Sequence, residues 1–134
     1  MATISYDKME GTIWYNGEML PWEDAQAHVL THGLHYASSV FEGERVYDGE
    51  IFKLEEHTDR LINSAKLLDF KIPYTAAEIN AACRDTVLQN NIVDGYVRPV
   101  AWRGSEMMGV SAQENRINLA VAVWQWPSYF DPEM

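Results

Sequence analysis

Cysteine occurs once in the chain, at Cys83, so no disulfide can form within it. A reducing setting, the cytoplasm, is the simplest expectation. No apolar run approaches the ~20 residues that a bilayer-spanning helix needs. The first residues have neither the charged start nor the apolar core of a secretion signal. Basic residues are also scarce: ten Lys and Arg against twenty Asp and Glu leave a net charge of −10. Such a chain is not expected to bind nucleic acid or an anionic membrane, both of which carry negative charge. The Gly-Lys-Ser/Thr phosphate loop, the Gly-x-Ser-x-Gly nucleophile turn and the Gly-rich dinucleotide turn are all missing. Only Lys8, Lys53, Lys66 and Lys71 supply amines, and none lies in an apolar stretch that would depress its pKa as Schiff-base chemistry requires.

What is present is enough for one folded domain: 134 residues, of which 47% are hydrophobic. Asn16-Gly17 and Asp48-Gly49 each stand between extended segments, and both pairs tolerate the positive φ of a two-residue hairpin turn. Residues 22–39 show no clean period and read as a loop with some helical turn. Over 54–69, Leu54, Leu61, Ile62, Ala65 and Leu68 form one stripe of a helix, with Glu55 and Glu56 in its first turn, where the helix dipole favours acids. Thr75-Ala76-Ala77-Glu78 is a capping-box pattern, flanked by Tyr74 and Ile79 as a hydrophobic staple. It opens a second helix that runs to about Asn90 and buries Ile79, Ala82, Cys83 and Val87. Two strands follow, over 95–103 and 116–124. No segment repeats. Strands and helices are segregated rather than alternating, which predicts an α+β fold: a two-layer sandwich of largely antiparallel sheet with two helices on one face. The stretch 126–134 mixes aromatics with two prolines. It reads either as a frayed tail or as the start of an interdomain linker, giving a domain over 1–127 and a linker over 128–134.

Alternate residues of a strand share a face. On the strand expected over 40–47, Phe41, Gly43, Arg45 and Tyr47 therefore point one way; over 95–103, Tyr96, Arg98, Val100 and Trp102 do. Each strand offers arginine beside aromatics. Two readings stay open: a guanidinium fork for a carboxylate or phosphate, walled by aromatics, or a solvated face whose arginines pair with acids. Pro99 cannot donate to a ladder, which predicts an edge strand or a local irregularity. Arg60 lies off the apolar stripe of its helix, placed as an exposed arginine near Glu56. His28, His32 and His35 are spaced as one helical face could hold them, but Gly33 interrupts the run and no His-Glu-x-x-His pattern occurs, so loop histidines bonded to backbone are expected rather than a metal site.

The segments Ile13-Trp14-Tyr15-Asn16-Gly17-Glu18, Leu34-His35-Tyr36, Ser39-Val40-Phe41-Glu42-Gly43, Arg60-Leu61 and Tyr96-Val97-Arg98-Pro99 stand in this order and spacing. Together they resemble the branched-chain amino acid aminotransferases, fold-type IV enzymes that depend on pyridoxal 5'-phosphate. The resemblance covers about residues 12–130. It implies a two-domain subunit with the cofactor between domains, and a smaller N-terminal domain that is an α/β sandwich. It gives Arg60 the cofactor phosphate, against the exposed-helix reading, and places Tyr36, Phe41, Gly43, Arg45, Tyr96, Arg98, Val110, Trp126 and Tyr129 around the substrate. It sends Tyr36 and the loop Met108-Gly109-Val110 into a partner subunit's site, which implies a homodimer or higher oligomer. The implied reaction moves an amino group from leucine, isoleucine or valine to 2-oxoglutarate. Phe41, Trp126 and Tyr129 suit the apolar side chain, and Arg98 with a tyrosine hydroxyl suits the carboxylate. The family's Schiff-base lysine, the acid that pairs with the pyridine nitrogen and the other half of the phosphate site belong to a second domain beyond residue 134, so the chain alone is expected to be inactive. Two siblings are a D-amino acid aminotransferase and an aminodeoxychorismate lyase, against which Tyr96-Val97-Arg98-Pro99 argues. A free-standing, non-catalytic domain that binds a small anion or a partner protein is the remaining alternative.

Overall fold

The structure is a computed structural model and describes residues 5–126; the linker expected over 128–134 and Tyr129 lie outside the described residues. The strands are β1 (Thr12–Tyr15), β2 (Glu18–Pro21), β3 (Ser39–Phe41), β4 (Glu44–Tyr47), β5 (Glu50–Ile51), β6 (Gly95–Arg103) and β7 (Ile117–Gln125); the helices are α1 (His32–Tyr36), α2 (Leu54–Leu67) and α3 (Ala76–Gln89). All pairings are antiparallel, in the order β2-β1-β7-β6-β4-β5, with β3 also paired to β6.

Local chemistry explains the elements. Asn16 and Gly17 have φ of 49° and 97°, and Asp48 and Gly49 have 52° and 80°, so each hairpin turn has both central residues at positive φ. Asn16 also clamps its turn onto β7: its N–H donates to Leu119 O at 2.9 Å, its Nδ2 donates to Asn118 Oδ1, and its Oδ1 accepts from Leu119 N. Helix α3 starts with the full capping box, in which Thr75 Oγ1 accepts from Glu78 N and Glu78 Oε1 accepts from Thr75 N. Its far end is tied to the sheet by Asn90, whose Oδ1 accepts from Thr12 N and whose Nδ2 donates to Thr12 O.

Both longer helices cover the same face of the sheet. Leu54, Leu61 and Ala65 of α2 and Ile79, Ala82, Cys83 and Val87 of α3 pack on Val40, Val46, Val97, Ala101, Leu119, Val121 and Val123. Leu61, Ile79 and Leu119 are wholly shielded; burying side chains of this size contributes roughly 1.5–3 kcal/mol each. The expected stripe of α2 needs one correction. Leu68 follows the last turn and stands 43% exposed, and the buried place on that face is taken by Thr58.

Two strand expectations are also corrected. The segment 40–47 is not one strand: it is broken at Glu42-Gly43 into β3 and β4, both paired to β6. Nor is the strand that carries Pro99 an edge. β6 is central, with β7 along its full length on one side. Pro99 O accepts from Glu42 N at 3.0 Å, so its missing N–H faces the break between β3 and β4, where the ladder is interrupted in any case. The irregularity is in the neighbouring strand.

Candidate active-site face and its reverse

The alternation of side chains survives the break. Val40, Glu42, Glu44 and Val46 are buried toward the helices, whereas Phe41, Gly43, Arg45 and Tyr47 are on the opposite face with Tyr96, Arg98, Val100 and Trp102. On that face Arg45 is directly across from Tyr96, and Phe41 across from Val100. Arg98 lies between them: its Cζ is 4.1 Å from the Phe41 ring centre and its Nη2 donates to Tyr96 Oη at 2.8 Å. Tyr96 in turn packs against Trp124 at 4.9 Å and edge-on to Trp126 at 4.8 Å between ring centres. Arg45 is over the Tyr47 ring at 5.4 Å.

Neither Arg45 nor Arg98 forms an ion pair with an acid among the described residues. Buried donors on both, Nη1 of Arg45 and Nε of Arg98, have no protein partner. Buried donors normally find acceptors. Two guanidinium groups without an acid partner among the described residues, held in an aromatic frame, are suited to an anion supplied from outside, and a planar carboxylate fits a guanidinium fork. This favours the first of the two readings that strand parity left open.

Gly43 sets the close approach within this face. A Cβ there would overlap the Tyr96 hydroxyl and stand 2.8 Å from its Cζ. Gly43→Ala is expected to cost about 1–3 kcal/mol of stability through overpacking, measured as a lowered thermal midpoint, with partial recovery when Tyr96→Phe removes the hydroxyl. An alanine variant as stable as the parent would contradict this packing.

The other side of the break holds a different set. Arg60 of α2 donates Nε–H to Oε2 of Glu42 and Nη2–H to Oε1, both at 2.8 Å. His57, in the preceding turn, donates from Nδ1 to the same Oε1 at 2.7 Å. Arg60 thus pairs with a strand-break acid eighteen residues away in sequence, not with Glu56, which pairs with Lys53 at 3.5 Å. Burial alone would raise the Glu42 pKa, but the bonds and charges of Arg60 and His57 outweigh it and hold the carboxyl below its usual range. The Arg60 side chain remains 67% exposed, and its Nη1 makes no hydrogen bond among the described residues. It can still take an anionic oxygen.

Glu44 is fully buried, and neither carboxyl oxygen has a partner. Desolvation, and secondarily the negative Glu42, push its pKa up to about 8. It is a neutral acid at pH 7.

Tyr36 and Val110 belong to a separate patch. Tyr36 Oη donates to Met108 O at 3.0 Å, and His32, stacked on Tyr36 at 4.4 Å, bonds Ser38 Oγ, Gly109 O and Val110 O. Both Tyr36 and Val110 are exposed. The other two histidines of the 28–35 run take separate partners: His35 bonds Val29 O, and His28 accepts from Leu30 N. The structure therefore joins Phe41, Gly43, Arg45, Tyr96, Arg98 and Trp126 on one face, sets Arg60 on the reverse, and leaves Tyr36 and Val110 on an adjoining loop. The sequence reading assigns no role to Glu42, Glu44 or His57. The same parity that displayed Arg45 would have turned both glutamates inward, and that was the available signal.

Residues 39–133 match the family of class IV amino-transferases. The chain is 46% identical to a branched-chain-amino-acid aminotransferase of Pseudomonas aeruginosa over 134 residues, 97% of this chain and 44% of the relative. It is 40% identical to the Escherichia coli K12 enzyme of the same name over 126 residues, 90% of this chain and 41% of the relative. The crystal structure of an Escherichia coli branched-chain amino acid aminotransferase superposes with a TM-score of 0.85 at 39% identity, covering 93% of this chain and 43% of that one. A T.th. branched-chain amino acid aminotransferase with pyridoxamine 5'-phosphate gives 0.87 at 40% identity, covering 94% and 43%. The chain thus spans less than half the length of these relatives. The fold shared with them is the α+β arrangement described above. Taken with the ordered arginine and aromatic face, the match over most of its length assigns the chain to the class IV aminotransferases.

Proposed function

We propose that this chain is the N-terminal part of a pyridoxal-phosphate transaminase that moves the amino group of L-leucine, isoleucine or valine to 2-oxoglutarate. One observation carries the reading: Arg98, stacked on Phe41 and bonded to Tyr96, has no acid partner among the described residues inside an aromatic frame. Such a face serves both substrates in turn, the rings accepting a branched alkyl group and the guanidinium a carboxylate. The resemblance to branched-chain aminotransferases supports these substrates over those of sibling enzymes.

The residues present fit the cofactor. Arg60 keeps an exposed guanidinium edge able to hold the phosphate of pyridoxal 5'-phosphate, the family's cofactor. When bound, that group supplies the electron sink that lets the amino nitrogen leave one carbon and join another. This chain contributes binding and orientation. Lys8, Lys53, Lys66 and Lys71 are all exposed, so none is desolvated as a cofactor-bearing lysine would need. We assign that lysine, the acid at the pyridine nitrogen and the rest of the phosphate site to the portion of the relatives that this chain does not span. The exposed Tyr36, bonded to Met108 beside Val110, supports a homodimer in which this loop reaches the second copy's site. Cys83, free and buried, is compatible with the reducing cytoplasm.

The test is a substrate panel. The full-length protein is expected to turn over L-leucine with 2-oxoglutarate, and the 134-residue chain alone to show no turnover. Preference for D-alanine or aminodeoxychorismate would overturn the substrate assignment, and turnover by the isolated chain would overturn the division of labour.

A further inference from the structure

Glu42 is an acid in a place that acids avoid. It is 5% exposed and lies in the two-residue gap between β3 and β4, on the helix side of the sheet. Its carboxylate accepts three hydrogen bonds, two from Arg60 and one from His57. The neighbouring positions Phe41 and Gly43 are on the opposite face, against Arg98 and Tyr96. One short stretch of backbone therefore carries both the arginine face and the holder of Arg60.

We propose that Glu42 is the positioning residue for the phosphate anchor. It binds the Nε/Nη2 edge of Arg60 in a bidentate fork, fixing the plane of the guanidinium and leaving Nη1 free. This rests on the proposed role of Arg60. A long arginine on an exposed helix surface samples many rotamers, and holding it in one removes that ordering cost from the binding step. Carboxylate is needed rather than amide, because both oxygens accept. His57 serves the same end by holding Oε1. A glutamine at 42 would turn an NH2 group toward one of these donors.

The experiment compares the affinity of the full-length protein for pyridoxal 5'-phosphate and for pyridoxal, which lacks the phosphate. Four forms are needed: the parent, Glu42→Gln, Arg60→Gln and the double variant. A purely structural acid would affect both ligands alike. The positioning role predicts that Glu42→Gln weakens pyridoxal 5'-phosphate by about tenfold, on the scale of one charge-assisted hydrogen bond, with pyridoxal little changed. That selective loss should vanish when Arg60 is already glutamine. If Arg60→Gln leaves the discrimination intact, Arg60 is no anchor, and both the functional reading of it and this inference fall. If Arg60→Gln lowers discrimination but Glu42→Gln does not reduce it, or reduces it by the same factor in the double variant, only the inference falls. Should Glu42→Gln not fold, Glu42→Asp keeps the charge but withdraws it by one methylene. It is expected to lower the discrimination, and unchanged discrimination in that folded variant would also overturn the inference.

Discussion

Replacing Arg98 with glutamine is expected to raise KM for 2-oxoglutarate about 10- to 100-fold, with KM for L-leucine changed by less than about threefold; the size follows from losing hydrogen bonds to a charged group, roughly 1.5–3 kcal/mol. The asymmetry follows from the face itself. Arg98 has no acid partner among the described residues, keeps a buried Nε unbonded and uses Nη2 on the Tyr96 hydroxyl. Its Nη1, which makes no hydrogen bond among the described residues, is available to an incoming carboxylate. A branched alkyl group would instead meet Phe41 and the rings around Tyr96, Trp124 and Trp126, which the substitution leaves in place. Steady-state kinetics with each substrate varied against a saturating partner would read the split. Equal losses for both substrates would mean that Arg98 supports the sheet and does not select the acceptor.

Glu44 predicts a second large effect, on stability and its pH dependence. Its folded pKa of about 8 is above the ordinary 4.5, so the folded state retains a proton that the unfolded chain releases. The stabilisation is fully present below pH 4.5 and is lost as pH rises from there through about 8. The slope in that window is about 1.4 kcal/mol per pH unit, on the order of 5 kcal/mol in all. Glu44→Gln keeps the shape and removes the titration. Urea denaturation at intervals between about pH 5 and 8.5 should show the parent weakening relative to Glu44→Gln as pH rises; parallel curves would contradict a protonated Glu44 in the fold.

Much of this was open to a reader of the sequence, where the determinants are local. Asn16-Gly17 dictates its turn through positive φ, and Thr75 with Glu78 closes its own cap within a single turn. Strand period alone turned Arg45 and Arg98 to faces that also carry aromatics, and the structure brings those faces together. What escaped depends on partners distant in sequence. Pro99 pointed to an edge or an irregularity in its own strand because a lone strand does not disclose that its missing donor faces a gap in a neighbour. Arg60 pointed to Glu56 because helix neighbours are the default, while the carboxylate that binds it comes from the sheet. Glu42 and Glu44 do not stand out in the sequence because acids ordinarily stay at the surface, yet they occupy inward positions between Val40 and Val46.

The central claim is that this chain offers a phosphate anchor at Arg60 and, across the strand break, a carboxylate receptor at Arg98. The most direct measurement is a crystal structure of the full-length protein with a phosphopyridoxyl-glutamate adduct, the kind of ligand seen in a T.th. relative. The account predicts the adduct phosphate on Arg60, with Glu42 still gripping the far edge of its guanidinium, and the glutamate side-chain carboxylate on Arg98 beside Tyr96. A phosphate bound away from Arg60, or a side-chain carboxylate that leaves Arg98 without a contact, would contradict it.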